Sequence, residues 1–150
     1  MITHSRPTHV RRFSRSLEQT VIETLKKYGI QGERSDLNAG VWIGNKKISA
    51  QGITASRWIT IHGVSLNVST DMSYYKKIVP CGLDSSIAGV CSISSLSQSS
   101  NVTPEAVAND WLSSFSSIFN LSLDNVEDPQ KVLSNLQTSE LLQRLDHPKR

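Results

Sequence analysis

The sequence predicts an α+β domain, on three observations. An apolar stripe of helical spacing runs from Phe13 to Tyr28, strand-like segments follow between Gly40 and Val68, and a second helical stripe stands behind Thr103 and Pro104. With 150 residues, 37% of them hydrophobic and 19% charged, the chain has room for one core and is too short for two ordinary domains. Residues 1–150 are therefore read as a single domain.

The opening stretch "MITHSRPTHVRRFSRSL" holds four arginines, three serines and no acid, the composition of a mitochondrial presequence. The competing reading is a helix integral to the fold. Phe13, Leu17, Val21, Leu25 and Tyr28 follow one another at spacings of four, four, four and three, and Gly29 stands where a helix ends. That helix is expected to begin near Val10. A polar connection, "IQGERSDLNA", leads to "GVWIGNKKISAQGIT", which reads as two strands around Gly44 and Asn45. In "RWITIHGVSLNVS", Val64, Leu66 and Val68 fall on one face and Ser65 and Asn67 on the other.

"STDMSYYKK" is turn-rich, and the serine-rich "SISSLSQSSN" reads as a loop, because serine competes for backbone hydrogen bonds. Thr103 and Pro104 supply an N-cap and a first helical position for a helix whose stripe is Val107, Trp111, Phe115 and Ile118. Asp128 and Pro129 open a third helix with Leu133, Leu136 and Leu141, and "LDHPKR" reads as a frayed tail.

Charge and cysteine content narrow the function classes. The formal charge of +3 is modest, and Arg11, Arg12, Arg15, Lys26 and Lys27 read as a solvated helix face or a surface for an acidic protein. Nucleic-acid binding requires more basic charge with aromatic residues beside it, and is not expected. The two cysteines, Cys81 and Cys91, make no disulfide framework and no metal-ligand pattern, so free thiols and no metal are expected. Apolar runs fall far short of the ~20 residues that span a bilayer, so no membrane association is expected.

The chemistry centres on "VPCGLDS". Cys81 is either a small buried hydrophobe or a nucleophile at a strand end. A thiol of pKa ~8.5 is mostly protonated at neutral pH, so a nucleophile there needs a nearby cation. Lys47 opens the strand "KISAQGIT" and is the candidate. Gly52 and Gly63 interrupt strands, which marks either close approach of a ligand or a bulge. His62 either polarises a substrate group or satisfies a backbone carbonyl, and Cys91 reads as a packed residue.

"VRRFSRSLEQTVIETLKKYGI", "KISAQGI", "RWITIHGVSLNV" and "TDMSYYKKIVPCG", in this order, resemble the lipoyl(octanoyl)transferase family over residues 10–121, leaving 122–150 as a C-terminal extension. The resemblance implies the fold of biotin and lipoate protein ligases, a mixed, largely antiparallel sheet flanked by helices. It implies an acyltransferase that moves an octanoyl group from acyl carrier protein to a lysine of a lipoyl domain, in lipoate biosynthesis. Lys47 and Cys81 take the catalytic roles. Substrate-binding backbone falls on Ala50, Gln51, Gly52, Gly63, Val64 and Ser65. No metal, nucleotide or other cofactor is implied. The implied acceptors are the lipoyl domains of 2-oxoacid dehydrogenase complexes and the glycine cleavage H protein. The implied location is mitochondrial in a eukaryote and cytoplasmic in a bacterium.

The chain departs from the family at one place. An R-G-G-x-x-T-x-H-x-P-G-Q-like segment that lines the acyl pocket has no match, which makes the chain a truncated or degenerate member with exposed sheet edges. The stretch after Gly82 is also looser than the family pattern. The rival readings are a non-catalytic remnant or interaction module, an ATP-dependent lipoate ligase and a papain-like hydrolase. The ligase has no glycine-rich phosphate loop here, and the hydrolase's later histidine is His147 in the polar tail.

Overall fold

A computed structural model describes residues 2–3, 7–35, 38–56, 59–78, 89–97 and 102–123. Their order is β1 (Ile2–Thr3), α1 (Pro7–Lys26), β2 (Glu33–Arg34), β3 (Gly40–Ile43), β4 (Lys46–Ser56), β5 (Ile59–Leu66), a 3-10 turn (Tyr74–Lys77), β6 (Gly89–Val90), α2 (Ile93–Leu96) and α3 (Pro104–Phe119).

The apolar spacing of α1 does what it predicts. Phe13, Leu17, Val21 and Leu25 are buried along one side, while Arg11, Arg12 and Arg15 face solvent. The helix starts at Pro7, three residues ahead of the expected Val10, since proline fits a first turn where its missing N–H costs nothing. It ends in a turn at Gly29, whose φ of 71° suits a residue without Cβ. Thr20 and Thr24 lie on the buried side, and each donates its hydroxyl to the carbonyl four residues back, at 3.0 and 2.8 Å.

The strands form one sheet in the order β1-β5-β4-β3-β2, with β6 beside β4. All pairs are antiparallel except β4 with β6, which is parallel, so the mixed, largely antiparallel sheet implied by the sequence is present. The β3–β4 turn is Gly44 and Asn45 as expected, with Gly44 at φ 56°. β5 pairs with β4 from Ser49 to Ser56, and β6 takes the same edge at Lys46 and Lys47. Asn67 joins the two partners: its N–H donates to Ile48 O at 3.0 Å and its side-chain amide to Cys91 O at 3.1 Å.

α1 and α3 pack on one face of the sheet. The core there joins Val21, Ile22 and Leu25 of α1 to Val41, Ile48 and Val68, and to Ile93 and Val107. Lys27 Nζ and Tyr28 Oη both donate to Asp110 of α3, at 2.9 and 2.7 Å, which ties the two helices at one end. Thr103 caps α3 by accepting from Ala106 N, with Pro104 in the first turn, as read from the sequence.

Two expectations need correction. The serine-rich segment is not all loop: Ile93–Leu96 form a single helical turn closed by a capping box between Ser92 and Ser95. Ser92 and Ile93 are buried, so serine here caps rather than breaks. Neither Gly52 nor Gly63 marks a bulge, because they pair with each other in a regular ladder, and the register shift of β4 falls opposite Val41 and Trp42. The third helix expected after Asp128 lies outside the described residues.

Candidate active site

The bulge in β4 decides which way Lys47 points. Val41 pairs with Ser49 and Trp42 with Lys47, leaving Ile48 as the extra residue. Ile48 enters the core under the helices, and Lys47 shares the opposite face with Trp42 and Gly40. Without the extra residue the alternation would shift by one and bring this ammonium under the helices.

Lys47 is 5% exposed. A buried ammonium requires acceptors, and among the described residues they are neutral. Nζ donates to Asn38 Oδ1 at 2.6 Å and lies 5.7 Å from the Trp42 ring centroid. Trp42 Nε1 in turn donates to Asn38 O at 3.1 Å. Among the described residues the ion pairs are Lys26–Glu23, Lys27–Asp110 and Arg34–Glu18, and none involves Lys47. Gly40, at φ 130°, makes the room: a Cβ there would stand 2.9 Å from Lys47 Cε and collide with Ser49 O.

Beyond Lys47 the same face is floored by small residues. Ala50 pairs with Gly40 on one side and Ser65 on the other, and Gly52 lies directly across from Gly63. A Cβ added to Gly52 or Gly63 would meet no atom of the described residues within 4 Å. The next pair outward is Thr54 with Ile61, and Ile61 is 71% exposed. Among the described residues this is a shallow, uncovered trough whose inner end is a lysine.

Four of the six expected substrate-binding residues, Ala50, Gly52, Gly63 and Ser65, are thus brought together on the lysine's face. Gln51 and Val64 pair with each other but turn to the helix face. Gln51 Nε2 donates to Ser14 Oγ at 2.7 Å and Glu18 Oε1 at 2.9 Å, and Val64 packs against the core, so both offer the trough backbone alone. His62 also faces the helices, its ring edge-on to Phe13 at 4.6 Å between centroids.

Cys81 lies outside the described residues. Cys91 is packed as expected, 3% exposed, with Sγ 3.8 Å from Lys46 O, and burial pushes its thiol up to about 11. Asn38 and Trp42 were not singled out from the sequence as site residues. Asn38 sits in a polar connection where no periodicity marks it, and Trp42 reads as an ordinary strand residue. No group of three His, Cys, Asp or Glu side chains among the described residues is placed to hold a metal. No described helix is long and apolar enough to cross a membrane.

Comparison with known proteins fits this geometry. The chain is 48% identical over 81 residues to an octanoyltransferase of Solibacter usitatus, covering 54% of this chain and 37% of the relative. It is 40% identical over 114 residues to one from a Synechococcus strain, covering 76% and 42%, and 36% identical over 126 residues to one from Cytophaga hutchinsonii, covering 79% and 50%. The chain thus spans half or less of the length of these relatives. Among solved structures, a lipoate-protein ligase A bound with ATP superposes with a TM-score of 0.64 at 16% identity, over 87% of this chain and 58% of that one. A bipartite lipoate protein ligase from Thermoplasma acidophilum gives 0.62 at 18% identity, over 93% and 60%. The sequence model of the lipoyl protein ligase A/B catalytic domain matches residues 1–116, and the chain belongs to that family.

Proposed function

We propose that this chain carries the lysine–cysteine centre of an octanoyltransferase in lipoate biosynthesis, with Cys81 as nucleophile and Lys47 as its activator. The observation that carries the reading is Lys47: a buried ammonium held, among the described residues, by neutral groups at the end of a glycine-floored trough. A cation so placed favours a thiolate brought beside it, since opposite charge nearby stabilises the ionised form. The chain order supports the pairing. β6 follows Cys81 in sequence, and its Val90 is registered with Lys47.

In the first step the Cys81 thiolate attacks the thioester carbonyl of octanoyl-acyl carrier protein. A new carbon–sulfur bond forms, the old one breaks, and the carrier leaves as its thiol after taking up a proton, which leaves an octanoyl-enzyme. In the second step the ε-amine of a lipoyl-domain lysine attacks that thioester. The amide forms, Cys81 is released, and Lys47 relays the proton lost by the amine. The trough receives the acyl chain, each buried methylene contributing ~0.8 kcal/mol. Gly52 and Gly63 let it lie against backbone, and Ile61 is an apolar neighbour at the rim.

A second reading, which the sequence left open, is a non-catalytic remnant or interaction module of the same fold. One experiment separates them. The 150-residue chain, alone and fused behind the N-terminal half of an octanoyltransferase relative, is incubated with octanoyl-acyl carrier protein and weighed intact. The catalytic reading expects an octanoyl adduct on the fused protein, lost in Cys81→Ser, kept in Cys91→Ser and slowed at least tenfold in Lys47→Ala. The chain alone is expected to show little transfer, since well-placed reacting groups supply roughly 7–11 kcal/mol of a barrier and no described residue covers the trough. A folded fusion that takes no octanoyl group sinks the catalytic reading.

A further inference from the structure

We propose that Asn38 is the positioning residue for Lys47: its side-chain oxygen holds the ammonium at the inner end of the trough, while Trp42 fixes the backbone carbonyl of the same residue. The inference rests on the reading above that Lys47 serves the transfer reaction, and it concerns how this chain aims that lysine.

A lysine side chain has four rotatable bonds, so burial of its stem alone does not fix its nitrogen. Here two contacts converge on it, and a third ties their partners together. Asn38 Oδ1 accepts from Nζ at 2.6 Å, the short distance of a charge-assisted hydrogen bond. The Trp42 ring lies 5.7 Å from the same nitrogen, and the indole N–H donates to the Asn38 carbonyl at 3.1 Å. Gly40, two residues after Asn38, gives the space that Lys47 Cε occupies. Asn38, Gly40 and Trp42 thus form one bracket, built from the segment that enters β3 and closed around a residue of β4.

The choice of an amide over a carboxylate has a chemical meaning. Asp at this position would make a salt bridge and hold the lysine as a committed ammonium, whereas an amide orients the nitrogen and leaves its charge free to stabilise another anion. Among the described residues, the other charged or titratable groups near this corner point elsewhere. Glu18 Oε1 accepts from Gly40 N and Gln51 Nε2, Lys46 is exposed at the neighbouring strand position, and Cys91, just after β6, contacts Lys46 O.

The test reads the lysine directly, on the 150-residue chain, without an activity assay. Lys47 is acetylated in short pulses of acetic anhydride from pH 6 to 11, and its labelling rate is followed by peptide mass spectrometry in wild type, Asn38→Ala and Asn38→Asp, with circular dichroism to establish folding. Asn38→Ala removes an acceptor from the ammonium, so labelling at fixed pH below the plateau is expected to rise about tenfold, with its half-maximal pH about one unit lower. Asn38→Asp is expected to move that profile up by one unit or more and to slow labelling by tenfold or more. Opposite displacement by the two variants is the signature, because a purely structural loop residue moves both the same way through loss of fold. Trp42→Phe, which keeps a ring but deletes the N–H, gives a smaller displacement in the Asn38→Ala direction. If Asn38→Ala fails to fold, the direction of Asn38→Asp decides. Profiles within 0.3 unit of wild type, or shifts of one sign, overturn the proposal. A displaced lysine profile together with unchanged Cys81 alkylation leaves the Asn38 bracket standing and removes the lysine–cysteine reading instead.

Discussion

Gly52 and Gly63 face each other across the β4–β5 ladder, on the lysine's side of the sheet, with no atom of a described residue within 4 Å of where either Cβ would stand. No described residue fills that space, so among the described residues the pair changes without steric cost. Gly63→Val is expected to leave the denaturant midpoint unchanged or raise it, since valine suits a strand better than glycine. In the fused enzyme the same change is expected to cut octanoyl transfer by tenfold or more, by raising a floor on which the acyl chain lies. Stability and transfer measured on one sample separate the two effects, and undiminished transfer removes the trough as the acyl site.

Gly40 behaves in the opposite way. Its φ of 130° and the contacts awaiting a Cβ, with Ser49 O and Lys47 Cε, make Gly40→Ala destabilising by about 2–4 kcal/mol. Chemical denaturation should show a lowered midpoint with little change in slope. A loss below 0.5 kcal/mol would show that the β3 entry relaxes easily and that Lys47 is not tightly housed.

The two thiols should part in reactivity. Cys91, with its thiol pushed up to about 11 by burial, has only about one thiolate in a thousand at pH 8 and little access to reagent. Brief iodoacetamide treatment of the native chain at pH 8 is expected to label Cys81 alone, and both cysteines in denaturant. Equal labelling in the native chain would mean that neither cysteine is specially disposed.

Asp110 links α1 to α3 and makes that link sensitive to acid. Hydrogen bonds from Tyr28 and then Lys27 hold its carboxyl below the usual range. A depressed folded-state pKa contributes stability above the unfolded value of ~3.9, lost as pH falls through the folded one. The groups are more than a third exposed, so the contribution is ~0.2–1 kcal/mol. Asp110→Asn is expected to be less stable than wild type by that amount at pH 7 and equal to it near pH 2, by urea midpoints across the range. A constant difference at all pH values would assign the loss to packing instead.

Local pattern made much of this fold legible. The spacing of Phe13, Leu17, Val21 and Leu25, the Gly44–Asn45 turn and the Thr103–Pro104 cap each carry their instruction within a few residues. What escaped depends on partners distant in sequence. β1 is two residues whose pairing with Ile59 and Thr60 no local pattern announces, and β6 is equally short. The bulge at Ile48 matters most, because alternation read straight along "KKISAQ" gives no sign that two adjacent residues of that strand share a face. Lys47 was named as catalytic through resemblance, and its orientation through Asn38 and Trp42 became visible only in three dimensions.

The exchange of partners along β4 also bears on the order in which the chain assembles. β3, β4 and β5 follow one another in sequence, so their ladders close short loops. The pairing of Lys47 with Val90 spans 43 residues, from 47 to 90, and must wait for a much larger closure, whose entropic cost grows with loop length. The β4–β6 junction at the lysine corner is therefore expected to form later and open sooner than the β3–β4–β5 ladders. Amide hydrogens that report it, such as Cys91 N on Lys47 O, should exchange with solvent deuterium sooner than those of the β4–β5 ladder. A centre built at this junction is completed only after the hairpins beneath it, so an unfinished chain does not carry an assembled reactive site.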